Sequence, residues 1–345
     1  MDGIRHPFET PPAEGEATEV APGILWLRLP LPMALDHVNV FVLDDGDGWT
    51  IIDTGMNTGR SRAAWRAALD GPLAGKPVRR VIVTHYHPDH IGLAGWFQSQ
   101  GAELLTTRTS WLYARMLVLD RHDTHPPEVL TFQNRAGVTG AALAAEKPFN
   151  FADVVAPLPP GFTRVTEGDT LTAGGRRWRV RIGQGHAPDH LTLWSMDDHL
   201  ILGGDQLLPG ISANLAVYPT EPAADPVTEW MDSARAFQPF AREDHLVLPG
   251  HKLPFTGLPL RLCQMIENHE GALSRLIDHL QTPRTATDCF LPLFKREIGP
   301  AEFGFALVES VAHLNCLLRQ GRVSRSLSED GAWLWQAKDP AKEQA

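Results

Sequence analysis

Cysteine is scarce in this 345-residue chain: Cys263, Cys289 and Cys316 form an odd, scattered set near the C-terminal end. Such a set suits buried thiols in a reducing compartment better than a disulfide framework or a zinc knuckle. Positive charge is short as well, with 31 Lys and Arg against 41 Asp and Glu and a formal net charge of −10. A field of that sign repels polyanions and disfavours nucleic acid or an acidic membrane as a general partner. No run of eighteen uninterrupted apolar residues occurs, and the opening MDGIRHPFETPPAEGEATEV has neither the basic nor the apolar region of a signal peptide. The expectation is a cytoplasmic protein with no membrane segment. Gly-X-Ser-X-Gly is also missing, so nothing signals a serine nucleophile at a strand-to-helix elbow.

Histidine is what the chain has in quantity, 15 residues, and their placement follows the strands. Residues 1–20 mix Pro, Gly and acidic side chains without apolar periodicity and read as a loosely held arm. Ile24–Leu29, Val38–Leu43 and Thr50–Ile52 are short apolar runs punctuated by Pro30, Pro32 and the Asp44–Gly48 turn, which predicts successive strands. Ser61–Leu69 has helical spacing, Val78–Thr84 is a buried strand, and Ile91–Gln100 reads as the helix after it. The stretch 106–156 breaks the rhythm with Trp111, Tyr113, Met116, Leu117, Phe132, Phe149 and Phe151. It is a helical insertion, readable either as a lid over a pocket or as an ordinary packed element. Strand texture returns at Trp178–Ile182, Leu191–Trp194 and His199–Leu202. Two β-rich halves that each end in a helix fit a layered sandwich. Beyond Gly257, apolar residues from Leu262 to Leu280 recur at three- and four-residue steps, marking a helix of about five turns. Short helix, long helix (Glu302–Leu318) and hairpin (Val323–Trp335) follow, an order similar to a winged-helix unit. From Arg261 onward that tail has 10 Lys and Arg against 11 Asp and Glu, which favours packing or a homodimer contact over DNA.

Thr84-His85-Tyr86-His87-Pro88-Asp89-His90 closes the Val78–Thr84 strand. Side chains on a strand alternate with period two, so His85 and His87 point to one side and can share an ion. The turn at Pro88 swings Asp89 and His90 toward a neighbouring ion. Imidazole and carboxylate donors with no cysteine nearby suit zinc, with manganese or iron as competitors.

This His-X-His-X-Asp-His segment resembles the signature of the metallo-β-lactamase superfamily, and further segments match that family in order. Gly185-His186 ends the Trp178–Ile182 strand, Gly204-Asp205 ends the next, Gly250-His251 ends a last apolar strand, and Ile51-Ile52-Asp53-Thr54-Gly55 precedes the histidines. The resemblance covers roughly residues 20–255. It implies a four-layer αββα sandwich over 21–257 with the 106–156 insertion inside it, followed by a small helical, winged-helix-like domain over 258–345. It also implies that His186 joins His85 and His87 on one ion, that His251 joins Asp89 and His90 on a second, that Asp205 bridges both, and that Asp53 orients the histidine loop from behind. His190 fits a scaffold role. His37 lies near where relatives form a loop at the pocket mouth, and otherwise reads as an ordinary surface or core histidine. Segment 206–222 follows the bridging aspartate and reads either as a substrate-contacting loop or as plain turn structure.

Two divalent ions about 3.5–4 Å apart can hold a bridging water as hydroxide near neutral pH, with Asp89 orienting it and accepting its proton. The expectation is hydrolysis of a small-molecule ester, thioester or lactone, because the chain looks most like glyoxalase II-type thioesterases, esterases and lactonases. Two alternatives are an RNA-cutting nuclease, suggested by the winged-helix-like tail, and a non-catalytic binding module. Charge speaks against the first and the full ligand set against the second.

Overall fold

The apolar runs of the first half are short, β-branched and bounded by Pro, Gly and Asp, so they fold as strands rather than helices. In the computed structural model, which describes residues 3–138 and 147–338, they form β1 (Thr18–Ala21), β2 (Ile24–Pro30), β3 (His37–Asp44), β4 (Trp49–Ile52), β5 (Val78–Ile82), β6 (Glu103–Thr106) and β7 (Thr163–Arg164). These lie side by side in chain order in one sheet. Strands β1 to β4 run antiparallel and β4 to β7 pair in parallel. The second sheet holds β8 (Thr170–Ala173), β9 (Arg176–Gly183), β10 (His190–Ser195), β11 (Leu200–Gly204) and β12 (Leu246–Pro249), antiparallel except for the β11–β12 pair.

The alternating faces of β3 show how the layers are held. Val38, Val40 and Val42 enter one buried cluster with Trp65 and Ala68 of α1 (Gly59–Asp70), and with Phe97, which lies two short helices further on. Phe41 and Leu43 enter another with Trp178, Val180, Leu193 and Leu202 of the second sheet. A strand buried on both faces has to be apolar throughout, as HVNVFVLD is. The α/β sandwich expected from the sequence is therefore present. Where one helix is predicted at Ile91–Gln100, the chain makes two, α2 (Pro88–Ile91) and α3 (Ala94–Gln98). The break falls at Gly92, where an added Cβ would sit 2.3 Å from the Pro88 carbonyl oxygen and 2.5 Å from that of Gly55. The backbone approach that the glycine permits interrupts the helix.

Two compact units emerge from the chain. The first takes residues 1–121, 150–213 and 240–261, and the second takes 122–149, 214–239 and 262–345. The 106–156 insertion is divided between them: α4 (Arg108–Leu119) belongs to the first and α5 (Pro127–Arg135) to the second, while 139–146 lie outside the described residues. Residues 3–20, read from composition as a loose arm, are pinned within the first unit. Arg5 bridges to Thr256, His6 reaches the Pro254 carbonyl at 3.1 Å, Phe8 meets the Trp26 ring edge-on, and β1 joins the sheet. Single anchors such as Phe8 leave no periodic trace in a sequence.

In the second unit the predicted order of helix, short helix, long helix and hairpin is found as α7 (Leu258–His279, its residues from Leu262 in this unit), α8 (Phe290–Phe294), α9 (Phe303–Arg319) and the β13 (Val323–Leu327) and β14 (Trp333–Ala337) ribbon. The unit also includes α6 (Pro226–Phe237), capped by Asp225, whose carboxylate accepts from the Thr228 N–H at 3.1 Å.

Candidate metal centre

Strand ends lead into most of the residues that matter here. Strand β5 runs through Val83 and Thr84 into His85, β9 leads to His186, β11 to Asp205 and β12 to His251. Asp89 and His90 sit on α2, started by Pro88 at its first position. The structure brings all seven predicted ligands together. His85 Nε2 lies 2.9 Å from His87 Nδ1, which is 3.0 Å from His186 Nε2. His251 Nε2 stands 3.3 Å from Asp89 Oδ2, and His90 Nε2 stands 3.6 Å from the same oxygen. Between these groups is one carboxylate oxygen, Asp205 Oδ2, at 3.5 Å from His186 Nε2, 3.4 Å from His90 Nε2 and 3.2 Å from His251 Nε2.

Do these residues fit metal ions? His85, His87 and His186 form one group able to hold an ion, His85, His90 and Asp205 a second, and Asp89, His90 and His251 a third. The His90 Nε2 and Asp205 Oδ1 atoms are buried without any hydrogen-bond partner. Buried polar atoms without partners are rare in folded proteins, and His90 Nε2, facing the carboxylates and histidines of the centre, is placed as a metal donor would be. Burial, with His90 and His190 close by, holds the His85 imidazole well below its ordinary pKa, and burial with His186 alongside brings His87 down to about 3. Neutral imidazole is the form that ligates a metal. Around the carboxylates the balance reverses. Burial opposes charge on His251 and His90, yet Asp205 and Asp89 overcome it, raising His251 to about 10 and His90 well above its usual value. Asp89 and Asp205 thus attract positive charge into an almost dry site. The donor set fits divalent cations.

Comparisons with known proteins identify the family. Residues 33–251 match the family model described as the metallo-beta-lactamase superfamily, and residues 273–338 match that of the metallo-beta-lactamase-like C-terminal domain. The chain belongs to the metallo-beta-lactamase superfamily. A beta-lactamase domain protein from Burkholderia ambifaria has a crystal structure that superposes with a TM-score of 0.88 at 35% identity, covering 97% of each chain. A probable metallo-hydrolase of Bacillus subtilis, YqjP, is 26% identical over 85% of this chain and 92% of its own length. A linear primary-alkylsulfatase from a Pseudomonas strain is 26% identical over 63% of this chain and 42% of its own length. This superfamily member is accordingly a metal-dependent hydrolase.

Behind the ligands, hydrogen bonds fix which nitrogen faces the centre. Asp53 Oδ2 lies 2.8 Å from His90 Nδ1 and accepts the Thr84 hydroxyl at 2.8 Å, while Asp53 Oδ1 accepts the Thr84 N–H at 2.8 Å. The Thr84 hydroxyl, having given its proton to Asp53, can accept from His85 Nδ1 at 3.0 Å. His251 Nδ1 donates to the His37 carbonyl at 2.7 Å. Each arrangement leaves Nε2 with its lone pair toward the centre, the usual duty of such outer partners. His190 Nε2 accepts the Asp205 backbone N–H at 3.0 Å and its ring stacks on His85 with centroids 4.5 Å apart, which is a scaffold position. Gly250 is required by close approach: a Cβ there would lie 2.2 Å from Asp205 Oδ1.

Sequence reading missed Asn39 and the packing of Tyr86, and left His37 between two readings. Asn39 Nδ2 donates to the Pro249 and Lys252 carbonyls at 2.9 and 2.8 Å, binding β3 to the turn that carries His251, and its Oδ1 accepts from Trp26 Nε1 at 2.9 Å. An asparagine within an apolar strand was the available signal. His37 is buried, its Nδ1 on Asp36 at 2.6 Å and its Nε2 accepting the Lys252 N–H at 3.0 Å, so it is a packed histidine. Tyr86 packs its ring 4.5 Å from that of His87 and 5.0 Å from that of Tyr113, with Phe151 at 6.3 Å. An apolar wall therefore stands beside the centre. Trp111, the more conspicuous aromatic of α4, stacks instead on Phe162 at 4.8 Å. Of segment 206–222, Leu208 and Ile211 give their carbonyls to buried Arg261 in the first unit. Asn214, in the second, donates to Glu309 at 2.7 Å.

Proposed function

We propose that the centre holds two divalent ions, one on His85, His87 and His186 and one on Asp89, His90 and His251, with Asp205 shared, and that it hydrolyses a small-molecule ester, thioester or lactone. The observation that carries this reading is the place of Asp205 Oδ2, within 3.5 Å of a nitrogen from each histidine group. Zinc suits the nitrogen and oxygen donors best, with manganese and iron as competitors. When bound, such ions acidify water toward neutral pKa and offer positive charge to a developing oxyanion. The protein's own part is to hold the donors rigid and dry and to orient the attacking water through the Asp89 carboxylate. Tyr86, with Tyr113 and Phe151 behind it, supplies an apolar face for the acyl group beside His87.

The net charge of −10 disfavours RNA as the substrate. The alkylsulfatase relative adds alkyl sulfate esters to the compounds worth testing. Initial rates on carboxylic ester, thioester, lactone, alkyl sulfate, β-lactam and RNA substrates, with and without chelator, form the test. The fastest turnover is expected on an acyl substrate and should disappear with chelator. Faster cleavage of RNA or alkyl sulfate than of every acyl compound would overturn the assignment.

A further inference from the structure

Within the second unit, α5, residues 219–223, α9 and the β13–β14 ribbon enclose a cavity of ≈ 450 Å³. That volume falls in the range of about 300–1,000 Å³ usual for small-molecule sites. Its walls are apolar and aromatic, with Phe132, Val311 and Trp335 buried and Trp333 half-buried. Two cations stand on them. The Arg325 guanidinium lies 4.3 Å from the centre of the Trp333 ring and 5.3 Å from that of Trp335, and the Arg135 guanidinium lies 5.2 Å from that of Trp333. Arg135 is tethered to the Gly331 carbonyl, which leaves most of its donors uncommitted. Among the described residues the Arg325 side chain makes no hydrogen bond, and neither guanidinium has a carboxylate within 4.0 Å.

Two arginines thus stand on one cavity wall, each over a tryptophan ring and, among the described residues, neither with a carboxylate within 4.0 Å. Stacking on tryptophan satisfies the face of a guanidinium and leaves its N–H edge in place for an acceptor. Among the described residues one carboxylate, Glu128, also lines the cavity, so their local balance is one positive charge. We propose that this cavity is a binding site for an organic monoanion, a carboxylate or sulfonate-type head group on an apolar body. Arg325 and Arg135 take the head group, and Phe132, Trp333 and Trp335 the body. A multiply charged phosphate ester would face Glu128 without enough compensating charge. The inference does not depend on which bond the metal centre cleaves.

Calorimetric titration of the metal-loaded protein with octanoate, octanesulfonate and octanol tests the proposal. At least one of the two anions should bind, and octanol, with the same chain and no charge, should bind at least about tenfold more weakly. Arg325→Gln should weaken anion binding about tenfold while metal content stays unchanged, since among the described residues the Arg325 side chain forms no hydrogen bond whose loss would disturb the fold. Asp205→Ala serves as the control for anions that go to the metal centre. Equal binding of octanol, unaltered affinity in Arg325→Gln, or loss of anion binding in Asp205→Ala alone would each overturn the proposal, as would binding of neither anion.

Discussion

Asp53 is the residue whose replacement separates folding from metal binding most cleanly. It is 2% exposed, has a left-handed backbone (φ 61°), and accepts three hydrogen bonds, from the Thr84 N–H, the Thr84 hydroxyl and His90 Nδ1. Asp53→Ala strands the Thr84 amide and the His90 ring nitrogen in a dry interior at about 1–3 kcal/mol each. Forcing alanine into the left-handed region adds about 1–2 kcal/mol. The sum is a large share of the roughly 5–15 kcal/mol that holds a domain together, so this variant should aggregate or unfold on mild heating. Asp53→Asn keeps the shape, and asparagine tolerates the left-handed backbone. Its oxygen must stay on the Thr84 N–H, which turns its amide group toward the Thr84 hydroxyl, able to accept, and toward His90 Nδ1. Two donors then face each other unless His90 moves its proton to Nε2, the atom that otherwise presents a lone pair to the second ion. Asp53→Asn should therefore fold, with Tm within a few degrees of wild type, and lose about 10–100-fold in affinity for one ion while retaining the other. Competition with a chromophoric chelator reads both affinities. Two ions bound as tightly as in wild type would refute the tautomer argument.

Asn39→Ala removes the acceptor of the buried Trp26 indole N–H and takes from the Pro249 carbonyl its Asn39 donor, while the Lys252 carbonyl keeps Arg28, so denaturant unfolding should show a loss of about 2–5 kcal/mol; a change inside experimental error would refute the clasp. Glu309 is pushed up to about 7, chiefly by burial against the opposing hydrogen bond from Asn214. Its folded form therefore holds a proton that the unfolded chain has released, so the stability it contributes is present below its ordinary pKa and is lost as pH rises through about 7. Glu309→Gln should flatten that decline between pH 5 and pH 8 in thermal melts, in about the proportion of a single proton, and an unchanged slope would contradict it. Tyr113→Ala should raise KM for long-chain acyl substrates several-fold with kcat little altered. A loss confined to kcat would mean that the Tyr86–Tyr113 wall does not bind substrate.

Much of the centre is legible in the sequence because metal chemistry concentrates it. Four donors crowded into six residues after an apolar strand would serve packing poorly and an ion well, and the later ligands follow further apolar strands in the order that the family resemblance implies. The sandwich is legible for the same reason: β3 must be apolar on both sides, and it is. The outer supports are not, because they act through groups every residue has. The His37 contribution to His251 is a backbone carbonyl, and Asn39 reaches across 210 residues to the Pro249 carbonyl. The division of 106–156 between two units was hidden too. Its aromatics are spaced for helices that pack, and helical spacing does not say on what.

The central claim is that seven side chains hold two ions through one shared carboxylate, and metal stoichiometry measured in parallel on wild type and Asp205→Ala tests it most directly. Wild-type protein loaded by dialysis and freed of excess metal should carry about two ions per chain, and Asp205→Ala should be depleted at both sites, with hydrolysis lost alongside. One ion or fewer in wild type, or an Asp205→Ala protein that keeps both ions and full activity, would contradict the account.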